Sequence, residues 1–266
     1  MRAESSQTPS REFMSRLARM AAAIHRRYFR AGVAVSYKSR NNPVTRADRE
    51  AEAVLKEYIH RRFPDDRFIS EETCPDFSRI EQGTRYWIID PLDGTVNFTH
   101  GVPLFSVSIA CWRRGRVIAG VVYNPVSGEM FNAELGRGAW CNGRRVQVSR
   151  IVRLSDALLV TGFPYTTQCQ PGRIFPLFRS FSMRSQAIRR LGCASLDMCW
   201  LAAGRFDGFW EQQLHPWDIA AGSLIVEEAG GRITTYAGSS DYLFADTIVV
   251  SNGRIHSEML HLTSSR

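Results

Sequence analysis

The chain has 266 residues, 44% hydrophobic and 23% charged, ordinary proportions for a globular protein with a sizeable core. No apolar run approaches the ~18 residues that span a bilayer, and the N-terminus lacks a signal-peptide core, so a cytoplasmic protein with no membrane segment is expected. Six scattered cysteines form no CxxC pair and match no histidine spacing, which argues against a zinc site or disulfide framework; the net charge of +8 suits anionic ligands or weak nucleic-acid contact, but no nucleic-acid-binding motif accompanies it.

Phe13, Leu17, Met20, Ala21, Ile24 and Tyr28 recur at helical spacing, as do Ala47, Ala51, Val54, Leu55 and Tyr58, so two amphipathic helices open the chain. The second carries a start signal: Pro43, Thr45 as N-cap, and Asp48 three residues on. From Phe68 to Val148 strands are expected at "RFIS", "YWIID", "LFSVSIACW", "RVIAGVVYNP" and "GEMFNAEL", joined by short Gly, Pro and Asn turns that favour an antiparallel sheet. Phe105, Val107, Ile109 and Cys111 alternate with Ser106, Ser108 and Ala110, the pattern of a half-buried strand. After Ile151 the order becomes strand ("ALLVTGF"), helix, short strand, helix ("SLDMCWLAAG"), strand ("RFDGFWE"), helix, strand ("TIVVSN") and a last helix, which predicts a more parallel, helix-covered half. No linker separates residues 1–150 from 151–266, so the two halves are expected to share one body, a single domain over 1–266.

The chemistry concentrates at the end of one strand, "WIIDPLDGTVNF". "DPLDG" could be a turn alone, since Pro presets φ, Asp bonds its own backbone and Gly accepts positive φ. It could also hold a hard cation, because Asp90, Asp93 and a backbone carbonyl offer several oxygens from one short segment. Glu71 and Glu72 end another strand, where they could be a solvated edge. Asp218 opens a helix, where the helix dipole alone favours an acid. Together Glu71, Asp90, Asp93 and Asp218, with Asp48 on the early helix, can converge on one cleft, and converging carboxylates call for cations between them.

With these motifs in order, the chain resembles the inositol monophosphatase family of Mg²⁺-dependent, Li⁺-sensitive phosphatases. "PVTRADREAE", "FISEET", "DPLDGTVNF" and "HPWDIAAG" carry the resemblance, which runs from about residue 10 to 262. It implies a layered αβαβα sandwich of α+β and α/β character, with the antiparallel sheet in the N-terminal half. It also implies two or three Mg²⁺ ions that activate water for in-line displacement at phosphorus, held by Glu71, Asp90, Asp93, Asp218 and the Leu92 carbonyl. By the same resemblance Thr95 and Asp48, with Glu71, position the attacking water, and Gly94 and Thr95 present amides to the phosphate, although either Thr95 or Asp48 could equally be a helix cap. Glu211 matches the acid that bonds a substrate hydroxyl, Gly192 and Ala194 match backbone positions lining the polyol pocket, Asp93 and Asp218 also face substrate, and Lys38 matches a lysine near the site. His215 is assigned no catalytic role and Trp217 is read as core.

The implied substrate is inositol 1-phosphate or a similar small polyol or sugar phosphate. Fructose 1,6-bisphosphate, histidinol phosphate and 3′-phosphoadenosine nucleotides remain alternatives within the superfamily. Ser70, where many relatives carry glycine, and the bacterial form of "VTGFPYTT" fall where substrate choice is set. A homodimer is implied as well. Some bacterial relatives associate with RNA polymerase antitermination complexes, so a binding role in transcription is the contrasting expectation.

Overall fold

The computed structural model describes residues 8–31, 35–39, 42–73, 80–81, 83–164 and 171–264. Helix α1 (Arg11–Ala31) buries Met14, Leu17, Ala18, Ala21 and Ile24, a stripe at three- and four-residue spacing, and leaves Arg11, Arg16 and Arg19 on its exposed face. A two-stranded antiparallel hairpin, β1 (Val35–Ser39) and β2 (Asn42–Thr45), leads into α2 (Arg46–Arg62). Thr45 caps α2: its hydroxyl accepts from the Ala47 amide at 3.1 Å, and its own amide donates to Asp48 Oδ2 at 2.8 Å.

Both opening helices lie on one face of a seven-stranded sheet, in the order β3 (Arg67–Ser70), β4 (Arg85–Asp93), β5 (Ser106–Arg113), β6 (Arg116–Tyr123), β7 (Met130–Glu134), β8 (Ala139–Cys141), β9 (Arg144–Arg145). It is antiparallel except at its first pair, where β3 runs parallel to β4. A parallel pair cannot be joined by a hairpin, so this pair departs from the antiparallel sheet that the short turns favour.

The alternation along β5 suggests a strand with one wet face, yet β5 is buried on both. Phe105, Val107, Ile109 and Cys111 pack toward α1 and α2; Ala110 packs on the other side, where Ser106 and Ser108 bond Ser195 and the Trp217 carbonyl. Small hydroxyls sit there because a second helical layer covers that face and leaves little room. That layer is α5 (Ala194–Ala202) and α6 (Pro216–Glu228), and apart from Ser195, Asp197 and Asp218 in the first turns and Glu227 and Glu228 at the end of α6 it is largely apolar, as expected of helices packed between two sheets.

The second sheet lies beyond it in the order β11 (Ala187–Arg189), β10 (Leu158–Thr161), β12 (Gly208–Gln212), β14 (Thr247–Ser251), β13 (Arg232–Thr234). The first three strands are parallel and the last two pair antiparallel, so the C-terminal sheet is mixed. Helices α4 (Pro171–Ser182) and α7 (His256–Ser264) cover its outer face, packing Phe181 and Met259 against Trp210 and Val249. The result is an αβαβα sandwich. One apolar cluster joins Ile88 and Val122 of the first sheet to Phe209 and Val250 of the second through α5 and α6. Among the described residues no helix is long and apolar enough to cross a membrane.

Candidate active site

The "DPLDG" segment is both a bulge and a helix start. β4 pairs Asp90 with Ser108 and Asp93 with Ser106, so three steps on β4 oppose two on β5. In a regular strand residues three apart point to opposite faces; the extra residue restores the parity, and both aspartates take the face of Ser106 and Ser108, toward α5 and α6. Asp90 is 2% and Asp93 9% exposed. Gly94 then turns the chain with φ of +87° into the short helix α3 (Thr95–Thr99), and a Cβ there would lie 2.9 Å from the Leu104 carbonyl oxygen.

Elements from both halves bring their acids to this point. Glu71, Asp90, Leu92, Asp93, Gly94, Thr95, Gly192, Ala194, Glu211 and Asp218 line one cavity of about 770 Å³, a size suited to a small ligand. Glu71 stands just after β3, Gly192 (φ +83°) and Ala194 at the start of α5, Glu211 on β12 and Asp218 in the first turn of α6. Asp48 is not in the cavity wall but reaches it through Thr95, whose Oγ1 bonds the Leu92 carbonyl at 2.9 Å and faces Asp48 Oδ1 at 3.4 Å. Its other oxygen caps α2, so capping and contact with Thr95 use separate oxygens of one carboxylate. Lys38 falls in β1, and its side chain lies outside the described residues. His215 caps α6, its amide donating to Asp218 Oδ2 at 2.7 Å, and stacks on Trp217, which is buried yet also borders the cavity.

Each central acid commits one oxygen to the protein. Asp90 Oδ1 accepts the Leu92 amide at 2.9 Å. Asp93 Oδ2 accepts the Ser195 amide at 2.7 Å, the Ser195 hydroxyl at 2.6 Å and the Cys193 thiol at 3.1 Å; Ser195 Oγ in turn lies 2.7 Å from Ser106 Oγ. Burial pushes the carboxyls of Asp90 and Asp218 well above the ordinary range, and Glu71, Asp93 and Asp218 push Asp90 further up. Burial also raises Asp93, against the pull of its Ser195 and Cys193 donors. Asp48 rises to about 6 and Glu211 to about 8, in both cases first through burial.

Among the described residues no group of three or more His, Cys, Asp or Glu side chains is arranged to hold a metal ion as it stands. The donor set nonetheless suits a hard cation: carboxylate oxygens and a carbonyl, gathered where like charges repel, with a second oxygen left on each aspartate.

A model of the inositol monophosphatase family matches residues 6–266. The chain belongs to the inositol monophosphatase family. It is 42% identical to an inositol-1-monophosphatase of Rhizobium meliloti over 221 residues, 83% of this chain and 82% of that protein. It is equally 42% identical to the Nus factor SuhB of Pseudomonas aeruginosa, over 86% of this chain and 85% of that one. Among solved structures, the IMPase TM1415 of Thermotoga maritima superposes with a TM-score of 0.86 at 36% identity, covering 96% of each chain. The extragenic suppressor protein SuhB of Bartonella henselae superposes with the same score at 38% identity, covering 94% of this chain and 96% of the other.

Sequence reasoning alone passed over Ser106, Cys193, Ser195, Asp197 and Arg190. Asp197 carried a signal: an acid inside the apolar run "SLDMCWLAA" has no wet face to point to. The serines carried none, since their place at Asp93 depends on the bulge and on α5 lying across the sheet.

Proposed function

We propose that this chain is a Mg²⁺-dependent phosphomonoesterase, acting as one domain over 1–266 on inositol 1-phosphate or a similarly small polyol phosphate. The observation that carries this reading is that Glu71 after β3, Asp90 and Asp93 on β4 and Asp218 on α6 line one cavity that Glu211 also lines. The first four, with the Leu92 carbonyl, would hold the cations, whose charge, when bound, assists water attack and offsets the phosphate's negative charge. Thr95 Oγ1 accepts a proton from the attacking water and hands its own to Asp48, the only acid in contact with it among the described hydrogen bonds. Glu211, Gly192 and Ala194 orient the polyol.

The test is phosphate release from inositol 1-phosphate, fructose 1,6-bisphosphate, histidinol phosphate and 3′-phosphoadenosine 5′-phosphate, with Mg²⁺ and with chelator. Release from inositol 1-phosphate that stops on chelation supports the reading, whereas release unaffected by chelation rules it out.

Two further results are expected. Asp48 must be ionised to take a proton, so kcat/KM should fall as pH drops through about 6, and Asp48→Asn should remove that limb. The same change should cost roughly 10²- to 10⁴-fold in kcat, as loss of a general base does. Ser195→Ala removes the 2.6 Å hydroxyl donor to Asp93 but keeps the amide. The Mg²⁺ concentration for half-maximal activity should rise about tenfold, the low end for loss of a group that orients a ligand.

A second reading is favoured by the relative named Nus factor SuhB: a binding role in transcription. It predicts that a variant without phosphatase activity still complements loss of the protein in cells.

A further inference from the structure

Asp197 is a cavity-wall acid that the reading above leaves unused. It stands in the first turn of α5, 1% exposed, and lines the cavity beside Glu211 and Arg190. Its Oδ1 has no hydrogen-bond partner among the described residues. Buried polar atoms in folded proteins are almost always paired, and leaving one unpaired is costly, so the missing donor is to be sought in what enters the cavity. Its neighbours on α5, Leu196 and Met198, are packed in the apolar core and offer no donor.

Asp197 and Glu211 both line the cavity. Glu211 disfavours a charge on Asp197, and the Arg190 guanidinium favours one on both acids. A Cβ at residue 162, a glycine, would overlap the Glu211 carboxylate where it stands. Carboxyls with no cation between them repel a phosphate but accept hydroxyl hydrogens, so Asp197 and Glu211 suit the alcohol part of an ester.

We infer that Asp197 is a second hydroxyl-accepting group of the substrate cavity, paired with Glu211, so that the chain selects phosphate esters of polyols with two hydroxyls in reach over esters without them. The inference rests on the phosphatase reading and deepens it.

The experiment compares kcat/KM of the full chain, wild type, Asp197→Leu and Asp197→Asn, on inositol 1-phosphate and on p-nitrophenyl phosphate, which has no hydroxyl to offer. The Leu variant should lose about 10- to 100-fold on the polyol ester and stay within about twofold on the aryl ester, with Asn restoring most of the loss, because an amide oxygen also accepts. An equal fall on both esters, or no change on either, overturns the inference and leaves the phosphatase reading standing. Should the Leu variant not fold, monodeoxy analogues of inositol 1-phosphate with the wild type decide: two separate hydroxyls whose removal each costs about tenfold support it, and one or none overturns it. A wild type that releases phosphate from neither ester sinks the phosphatase reading, and this inference with it.

Discussion

Asp93→Asn is expected to lower phosphate release by roughly a thousandfold or more, the several kcal/mol that cation charge supplies to a phosphoryl transition state, while leaving the fold intact. The reason lies in the donors around one oxygen. Asp93 Oδ2 is met by the Ser195 amide, the Ser195 hydroxyl and the Cys193 thiol, so an asparagine there must turn its oxygen to them. Its NH₂ then points to where the free carboxylate oxygen would meet a cation. The variant therefore loses a charge and also presents a donor where an acceptor is needed. It should fold, because neutralising one of several facing carboxylates relieves repulsion with Asp90 and Asp218. Without metal its melting temperature should equal or exceed that of the wild type; with saturating Mg²⁺ only the wild type should rise, since a ligand stabilises the state that binds it. Equal Mg²⁺-dependent rises in both proteins would show that Asp93 is not a ligand.

Much of this site was legible in the chain because its parts are local. Pro, Asp and Gly in "DPLDG" dictate a turn whatever surrounds them, and Thr45 with Asp48 dictates a helix start. What could not be read is where the local pieces point. Residues 90 and 93 of an unbroken strand would diverge, and only the bulge against β5 turns both to one face. Likewise β5 alternates like a half-wet strand but is covered twice, because α5 and α6 come from 80 or more residues downstream. The short strands β8, β9 and β13 escaped for a related reason: two or three residues are too few to show a period. Asp48 and Asp218 serve their helix starts, as a cap and a first-turn acid do. Each caps its helix with one oxygen, and this fixes the direction of the other.

Glu211 should make the metal-free protein lose stability as pH rises. Burial lifts its carboxyl from an ordinary 4.5 to about 8, only partly offset by Arg190. Between those values the folded state holds a proton that the unfolded state has released, so unfolding is favoured progressively as pH rises from about 4.5 to about 8 and the penalty is constant above that. Asp90 and Asp218 are pushed up in the same direction, so the wild-type profile alone does not isolate Glu211. The difference from Glu211→Gln does, because those groups are common to both proteins. Denaturant unfolding in chelator should show little difference near pH 4 and a variant more stable by several kcal/mol at pH 9, at about 1.4 kcal/mol per pH unit between the two pKa values. A difference independent of pH would mean that Glu211 is ionised at no cost in the folded chain. Above about pH 8, where Glu211 is ionised, the same variant should turn over a polyol phosphate less well, since the neutral amide accepts a hydroxyl more weakly than the carboxylate does.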